Sequence, residues 1–252
     1  RQGYIGSRIV EDLLQQGYEV HACVRDASNE KKVNHLLELA KSSVNCNVRL
    51  FEGDLFKKGS YDKAFKNCSA VIHAGATVGF NRETPQEVYD GCFTENEHVV
   101  ESVIKSDSIK RLVFTSSFAA VAHPRPEGYV FDEKDWCGDN VEAYKGAWST
   151  DNISKNRDIA YAMSKANTEK YIYEIAEKEG NFEAISINPL HVIGPLLTEN
   201  HNQFFSWQFF ILQLLKGVNF GSYNGQQVRS DRMLWNMVDV RDVAKALSLI
   251  HI

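Results

Sequence analysis

The chain lacks the patterns that are typical of membrane proteins. No apolar run in its 252 residues reaches the ~18 residues that a membrane-spanning helix needs. The nearest run, 204–215, is shorter and is interrupted by Ser and Gln. It also has no Lys or Arg, which a helix lying on a membrane surface carries on its polar face. We therefore interpret 204–215 as a buried helix or as one wall of a substrate pocket.

Basic patches, paired cysteines and metal-ligand spacings are also scarce. The 28 basic and 33 acidic residues give a net charge of −5, whereas nucleic-acid binding needs a dense basic face. The five cysteines form an odd set without a CxxC spacing, which favours a reduced, cytoplasmic compartment over a disulfide framework. The eight histidines are scattered. We therefore expect no nucleic-acid partner, no membrane span and no bound metal.

Short apolar runs alternate with helical patterns along the chain. The strand-like runs are 18–24, 48–51, 70–73, 112–115 and 184–187. Such alternation predicts an α/β fold, a doubly wound parallel sheet of the Rossmann type with helices on both faces. We predict a nucleotide-binding domain over 1–188, followed by a partial substrate-binding region over 189–252 with segments that return to the first domain.

A glycine turn opens the sequence. Gly3 and Gly6 match the last two glycines of a GxxGxxG turn, with Tyr4 and Ile5 between them. Such a turn brings backbone N–H groups and a helix N-terminus to a pyrophosphate. The first glycine and the strand before it are absent from the sequence, and in this fold that strand lies in the middle of the sheet. We therefore predict a fragment of a longer polypeptide, with two unpaired strand edges.

The residues that follow the first strand bear on the choice of cofactor. Arg25 ends this strand, and Lys32 lies at the start of the next helix. Two cations favour the 2′-phosphate of NADP, whereas an acidic residue such as Asp26 usually binds the ribose hydroxyls of NAD. NADP(H) is therefore the favoured cofactor, and Asp26 keeps NAD(H) open.

Other strand ends supply further candidates for the same edge of the sheet, where ligands of such folds bind. We expect adenine contacts after the run 48–51 and close backbone approach after the run 70–73, and we interpret His73 as structural. The candidates are Asp54, Leu55, Ala74, Gly75 and Ala76, followed by the hydroxyls of Ser116 and Ser117.

Tyr161 and Lys165 form the most informative pair. Residues four apart share one helix face, so both side chains can reach the same cleft. A neighbouring ammonium favours the phenolate form of a tyrosine. The phenol can then exchange a proton with a carbonyl oxygen during hydride transfer.

Together these segments resemble the extended short-chain dehydrogenase/reductases, in particular the branch of dihydroflavonol reductases, cinnamoyl-CoA reductases and related yeast carbonyl reductases. The segments that carry the resemblance are 3–6, 24–26, 31–37, 53–55, 112–117, 161–165, 188–195 and 238–244.

The resemblance implies a role for each matching position. Ser117 would hydrogen-bond the substrate carbonyl and Tyr161 would be the proton donor or acceptor. Lys165 would hold the nicotinamide ribose. Arg25 and Lys32 would hold the 2′-phosphate. The nicotinamide pocket would be lined by Pro189, Leu190 and Val192.

The expected activity is NADPH-dependent reduction of a ketone, aldehyde or thioester carbonyl, or the reverse oxidation of an alcohol. Two alternatives stay open: an NAD-dependent nucleotide-sugar epimerase, dehydratase or 3β-hydroxysteroid dehydrogenase, and a non-catalytic NADP-binding sensor. The polar span 123–157 is longer than is usual in this branch, and we interpret it either as a cover over the substrate or as a solvated loop. Asn96 is a candidate for an asparagine that some members use.

Overall fold

Helices and strands alternate along the chain in a computed structural model, which describes residues 3–42, 47–75, 84–122, 128–138, 149–201, 211–212, 215–217, 222–223, 226–227 and 236–249. The helices are α1 (Tyr4–Gln15), α2 (Glu30–Ser42), α3 (Asp62–Phe65), α4 (Pro85–Ile104), α5 (Arg157–Glu179) and α6 (Val240–Leu249). The strands are β1 (Val20–Val24), β2 (Val48–Glu52), β3 (Ala70–His73), β4 (Arg111–Thr115), β5 (Glu183–Ile187), β6 (His191–Ile193), β7 (Ser222–Tyr223), β8 (Gln226–Gln227) and β9 (Met237–Asp239).

The strands expected from the apolar runs are confirmed as β1 to β5, and their pairings are parallel. β1 pairs with β2, and β4 lies between β3 and β5. A further parallel pair joins β6 to β9, whereas β7 and β8 form a short antiparallel pair. The α/β fold class is therefore confirmed.

The first strand begins two residues later than the sequence predicts. Gly17 has φ = 90°, a left-handed conformation that suits glycine at a helix end. The backbone N–H of Tyr18 donates to the carbonyl of Leu13 at 3.0 Å, so Tyr18 belongs to the turn that ends α1. The strand starts at Val20, where pairing with Val48 begins.

A cavity of about 550 Å³ separates the pair β1–β2 from the sheet β3–β4–β5. Residues 20–23 of β1 and 70–73 of β3 line the cavity, and Ile9, Val10 and Leu13 of α1 also line it. Within the described residues, no backbone ladder joins β1 to β3. These edges correspond to the unpaired edges that the sequence predicts.

The core covers both faces of β4. Leu112 and Phe114 pack with residues of α4 and α5, whereas Val113 packs with residues of α1 and α6. Alternate side chains of one strand are therefore buried on opposite faces, which explains its continuous apolar run. The packing of α6 places residues 240–249 against α1 and β4, and the division at residue 188 stays a prediction.

The helix that carries Tyr161 has well-defined ends. The Asn156 side chain accepts a hydrogen bond from the backbone N–H of Asp158 at 2.7 Å, and Gly180 follows the last turn with φ = 66°. An amide N-cap and a left-handed glycine are favourable ends for a helix. In the part of the chain that the structure describes, no helix has the length and apolarity to cross a membrane. The run 204–215 lies mostly outside the described residues.

Candidate active site

The segments that follow β4 and β5 come together at the carboxyl edge of the sheet. The backbone N–H of Ser116 donates to the carbonyl of Ile187 at 2.9 Å, and that of Phe118 donates to the carbonyl of Pro189 at 3.0 Å. These bonds continue the ladder beyond the strands and place Ser117 beside Pro189. Ala74 and Gly75 follow the neighbouring strand β3, whereas Ala76 lies outside the described residues.

Ser117 caps a short 3₁₀ turn at Phe118–Ala120. Its Oγ accepts the backbone N–H of Ala119 at 3.2 Å. A hydroxyl has one proton to donate and two acceptor sites, and this bond uses an acceptor site. The proton of Ser117 can therefore be directed to an oxygen atom of a bound molecule.

Lys165 lies on the side of α5 that faces the sheet, and Tyr161 lies one helical turn before it. Lys165 is 2% exposed, and its Nζ lies 5.3 Å from the ring centroid of Phe114 on β4. The same Nζ lies 5.8 Å from the ring centroid of Tyr161. Both distances fall within the range of a cation–π contact, which favours a buried ammonium. The structure therefore brings the ammonium and the phenol ring together beneath the end of β4.

Glu169 is a buried carboxylate that the sequence reasoning missed. It lies one helical turn beyond Lys165 and is 3% exposed. Its Oε2 accepts the indole N–H of Trp136 at 3.0 Å, and its Oε1 accepts an N–H of the Asn188 side chain at 2.6 Å. The Asn188 amide nitrogen also donates to the carbonyl of Ser117 at 3.2 Å. In the sequence, the only indication that Glu169 shares a helix face with Lys165 is the four-residue spacing between them.

The described parts of the span 123–157 pack on α5. Cys137 and Ile153 are buried with Met163 in one apolar cluster. Asp135, 8% exposed, accepts the phenol O–H of Tyr129 at 2.6 Å. Residues 135, 137 and 153 thus anchor these parts on α5, whereas 128–130, 132–134, 150–151 and 154–155 are exposed. Both interpretations of the span stay predictions, and residues 123–127 and 139–148 lie outside the described residues.

The glycine turn presents the N-terminus of α1. Gly3 is the exposed N-cap residue, and a Cβ built on it would meet no atom within 4 Å. The Tyr4 side chain is held by a hydrogen bond from its O–H to the carbonyl of Gly194 at 2.9 Å. Ile5 packs in the apolar cluster between α1 and α6, and Gly6 is buried. At this site Tyr4 and Ile5 can therefore offer backbone groups to an anion.

Arg25 and Lys32 are both exposed near the end of β1. Between them in sequence, Asp26 accepts the hydroxyl of Ser28 at 2.6 Å and its backbone N–H at 3.0 Å. These bonds, together with the charge of Lys32, hold the pKa of the Asp26 carboxyl below its usual range. The Asp26 carboxylate is therefore hydrogen-bonded within its own turn, whereas the side chains of Arg25 and Lys32 are exposed to solvent.

The candidates after β2 have mainly structural contacts. Asp54 is partly buried, and its carboxylate accepts the backbone N–H of Phe56 at 3.0 Å. Leu55 is 3% exposed and lies in the core, so only its backbone remains for a ligand. Its carbonyl accepts a hydrogen bond from Nδ1 of His98 at 2.8 Å.

The remaining candidates lie around the neighbouring strands. His73 is buried and bonds through Nε2 to the Oδ1 of Asn96 at 2.9 Å, which fits a structural histidine. Val192 is buried against the cluster between α1 and α6, whereas Pro189 and Leu190 are partly exposed.

A cluster of the buried Ser7 and His201 with the half-buried His35 joins α1, α2 and the turn Glu199–His201. The Oγ of Ser7 lies 2.8 Å from Nε2 of His35 and 3.4 Å from Nε2 of His201. Burial and the neighbouring His201 lower the pKa of His35 to about 4. No local sequence pattern predicts this cluster, because Ser7 and His201 are 194 residues apart. Within the described ranges, no three His, Cys, Asp or Glu residues could hold a metal ion.

Known proteins are similar to this chain over most or nearly all of its length. The sequence pattern of the NAD dependent epimerase/dehydratase family covers residues 1–251. A dihydroflavonol 4-reductase of Solanum lycopersicum is 38% identical over 78% of this chain and 49% of its own length. The cinnamoyl-CoA reductase CAD2 of Medicago truncatula is 34% identical over 99% of this chain and 69% of its own length.

Solved structures show the same fold. The structure of Gre2 from Candida albicans in complex with NADPH has a TM-score of 0.75 at 24% identity, and the match covers 97% of this chain and 70% of that one. The chain spans about half the length of the dihydroflavonol reductases that it matches. The matches confirm the resemblance to extended short-chain dehydrogenase/reductases, and the chain belongs to the NAD dependent epimerase/dehydratase family.

Proposed function

We propose that the protein is an NADPH-dependent oxidoreductase that reduces a ketone, aldehyde or thioester carbonyl, or oxidises the corresponding alcohol. The observation that carries the proposal is the buried ammonium of Lys165, which lies 5.8 Å from the ring centroid of Tyr161 and 5.3 Å from that of Phe114, beneath β4, the strand that ends two residues before Ser117. The names of the relatives, a dihydroflavonol reductase and a cinnamoyl-CoA reductase, favour a flavonoid-like ketone or a thioester.

Ser117, Tyr161 and Lys165 have different roles in the reaction at the carbonyl oxygen of the substrate. The Ser117 hydroxyl donates a hydrogen bond to that oxygen and polarises the carbonyl bond, while it keeps its proton. Tyr161 transfers its phenol proton to the same oxygen as negative charge develops, and the ammonium of Lys165 stabilises the phenolate that remains. When bound, NADPH supplies the hydride that reaches the carbonyl carbon. In the oxidative direction Tyr161 takes the proton back.

The cofactor site fits a phosphorylated dinucleotide. The exposed N-terminus of α1 at Gly3 offers backbone N–H groups to a pyrophosphate. Arg25 and Lys32 are exposed where a 2′-phosphate would be held, and the Asp26 carboxylate is already engaged by Ser28. The two exposed cations and the engaged carboxylate favour NADP(H) over NAD(H). They therefore make the alternative of an NAD-dependent epimerase less favourable. A cytoplasmic location stays a prediction.

The test uses the natural protein that carries this sequence. NADPH oxidation is followed with a dihydroflavonol and with cinnamoyl-CoA as substrates. Tyr161→Phe should lower turnover on the accepted substrate by about 10²–10⁴-fold, because the proton donor is removed. NADPH affinity, measured by fluorescence titration, should stay unchanged.

Tyr173→Phe is the matched control. It removes a phenol hydroxyl from the same helix, where that hydroxyl bonds Ser186 at 2.8 Å. Its turnover should stay close to that of the wild type. Equal turnover of Tyr161→Phe and wild type would refute the mechanism. NADPH binding without consumption of any substrate would favour the sensor alternative.

A further inference from the structure

Glu169 is a buried charge that the mechanism above does not use. Its carboxylate is 3% exposed. Burying a carboxylate is costly unless hydrogen bonds compensate, and two donors reach this one: Trp136 at 3.0 Å and Asn188 at 2.6 Å. A buried carboxylate with two such donors is a candidate for holding neighbouring groups in place.

The Asn188 amide connects this carboxylate to the serine turn. A primary amide has two N–H donors. One bonds Glu169 on α5, and the other bonds the carbonyl of Ser117 at 3.2 Å. The result is a continuous connection from α5, through one side chain after β5, to the backbone of Ser117.

This connection joins the two structural elements that carry Ser117 and Tyr161, whose side chains must reach the same carbonyl oxygen of the substrate. Ser117 follows β4, whereas Tyr161 lies on α5, two helical turns before Glu169. Backbone bonds from Ser116 and Phe118 tie the serine turn to the segment after β5. The bond between Glu169 and Asn188 ties that same segment to the helix.

A second contact joins α5 to β5 at a point away from the site. The Tyr173 hydroxyl bonds the Oγ of Ser186 at 2.8 Å and accepts the backbone N–H of Ser186 at 3.0 Å. Tyr173 lies one turn beyond Glu169 on the helix. It therefore provides a comparable helix-to-strand contact that does not reach Ser117.

We propose that Glu169 is a positioning residue, which acts through Asn188 to fix the serine turn relative to Tyr161. The inference rests on the proposed function, since it assigns Ser117 and Tyr161 to the same carbonyl oxygen. Trp136 bonds the other oxygen of the carboxylate and attaches the segment 128–138 to the same point of α5. Lys170 supports this attachment with its Nζ 5.1 Å from the Trp136 ring centroid.

The test measures steady-state kinetics and hydride transfer in the natural protein. Glu169→Gln keeps the size of the side chain but replaces one acceptor oxygen with a donor, which opposes one of the two N–H groups. We expect kcat to fall by about tenfold to a hundredfold, the range for a small displacement of catalytic groups. The KM for NADPH should not change, and the isotope effect with deuterated NADPH should rise, since the chemical step becomes slower.

Asn188→Ala keeps the inference testable if Glu169→Gln does not fold. It removes the connection to Ser117 and leaves the Trp136 bond, so kcat should fall to a similar extent. Trp136→Phe removes one bond to the same carboxylate but leaves the connection, so kcat should fall by less. Tyr173→Phe should lower the melting temperature without changing kcat or the isotope effect.

The outcomes separate this inference from the proposed function. Wild-type kcat in Asn188→Ala, or an equal loss in Trp136→Phe and Asn188→Ala, would overturn the positioning role. If Tyr161→Phe is inactive while Glu169→Gln is fully active, only the positioning inference fails. If Tyr161→Phe keeps its turnover, the proposed function fails.

Discussion

Mild acid should destabilise the folded protein through His35. This imidazole is half-buried and bonded to Ser7 at 2.8 Å, and burial together with His201 lowers its pKa from 6.5 to about 4. The folded state therefore holds His35 neutral at a pH where the unfolded chain is already protonated. Its contribution to stability is complete above pH 6.5 and is lost as the pH falls toward 4.

The size of the effect follows from the two pKa values. A shift of this size corresponds to at most about 3–4 kcal/mol of unfolding free energy. Because the ring is not fully removed from water, solvent screening reduces the expected contribution to about 1–2 kcal/mol. This is a measurable part of the stability of a domain.

Urea unfolding at a series of pH values measures this contribution. Between about pH 7.5 and pH 4.5 the unfolding free energy of the wild type should fall more steeply than that of His35→Gln, which cannot bind the proton. The difference between the two curves should approach about 1–2 kcal/mol at the acidic end. Parallel curves for the two proteins would refute the reasoning.

Two further variants test the cofactor site and the catalytic helix. Arg25→Ala should weaken NADPH binding by about tenfold, because a charge-assisted bond to phosphate is lost, while NADH binding should be unchanged; equal losses for the two cofactors, measured by fluorescence titration, would contradict the 2′-phosphate assignment. Asn156→Ala removes the N-cap of α5 and should lower the unfolding free energy by about 1 kcal/mol in urea titration, whereas an unchanged midpoint would show that the cap is dispensable.

The strand content could be read from the sequence because burial leaves a local pattern. The run 112–115 is apolar at successive positions, since Leu112 and Val113 pack on opposite faces of the sheet. The spacing of Tyr161 and Lys165 is equally local, because four residues make about one helical turn. Boundaries were less accurate, as the donation from Tyr18 to Leu13 shows.

The rest of the site depends on residues far apart in sequence. Trp136 and Asn188 lie 33 and 19 residues from Glu169, and no local pattern indicates that they share one carboxylate. The same is true of Ser7 and His201. Polar contacts of this kind are set by tertiary packing, so a single sequence gives no period or spacing from which to predict them.

The packing of α1 against α6 has a consequence for the order of folding. Ile9 of α1 is buried with Val243 and Leu247 of α6, and Gln16 bonds Ser248 across 232 residues of chain. During synthesis α1 emerges long before the helix that covers its apolar side. Contacts of such large sequence separation slow folding, because a long loop must close before they form. The side of α1 that packs on α6 therefore stays uncovered until residues 240–249 have been synthesised, and exposed apolar surface of this kind is where a chaperone would bind.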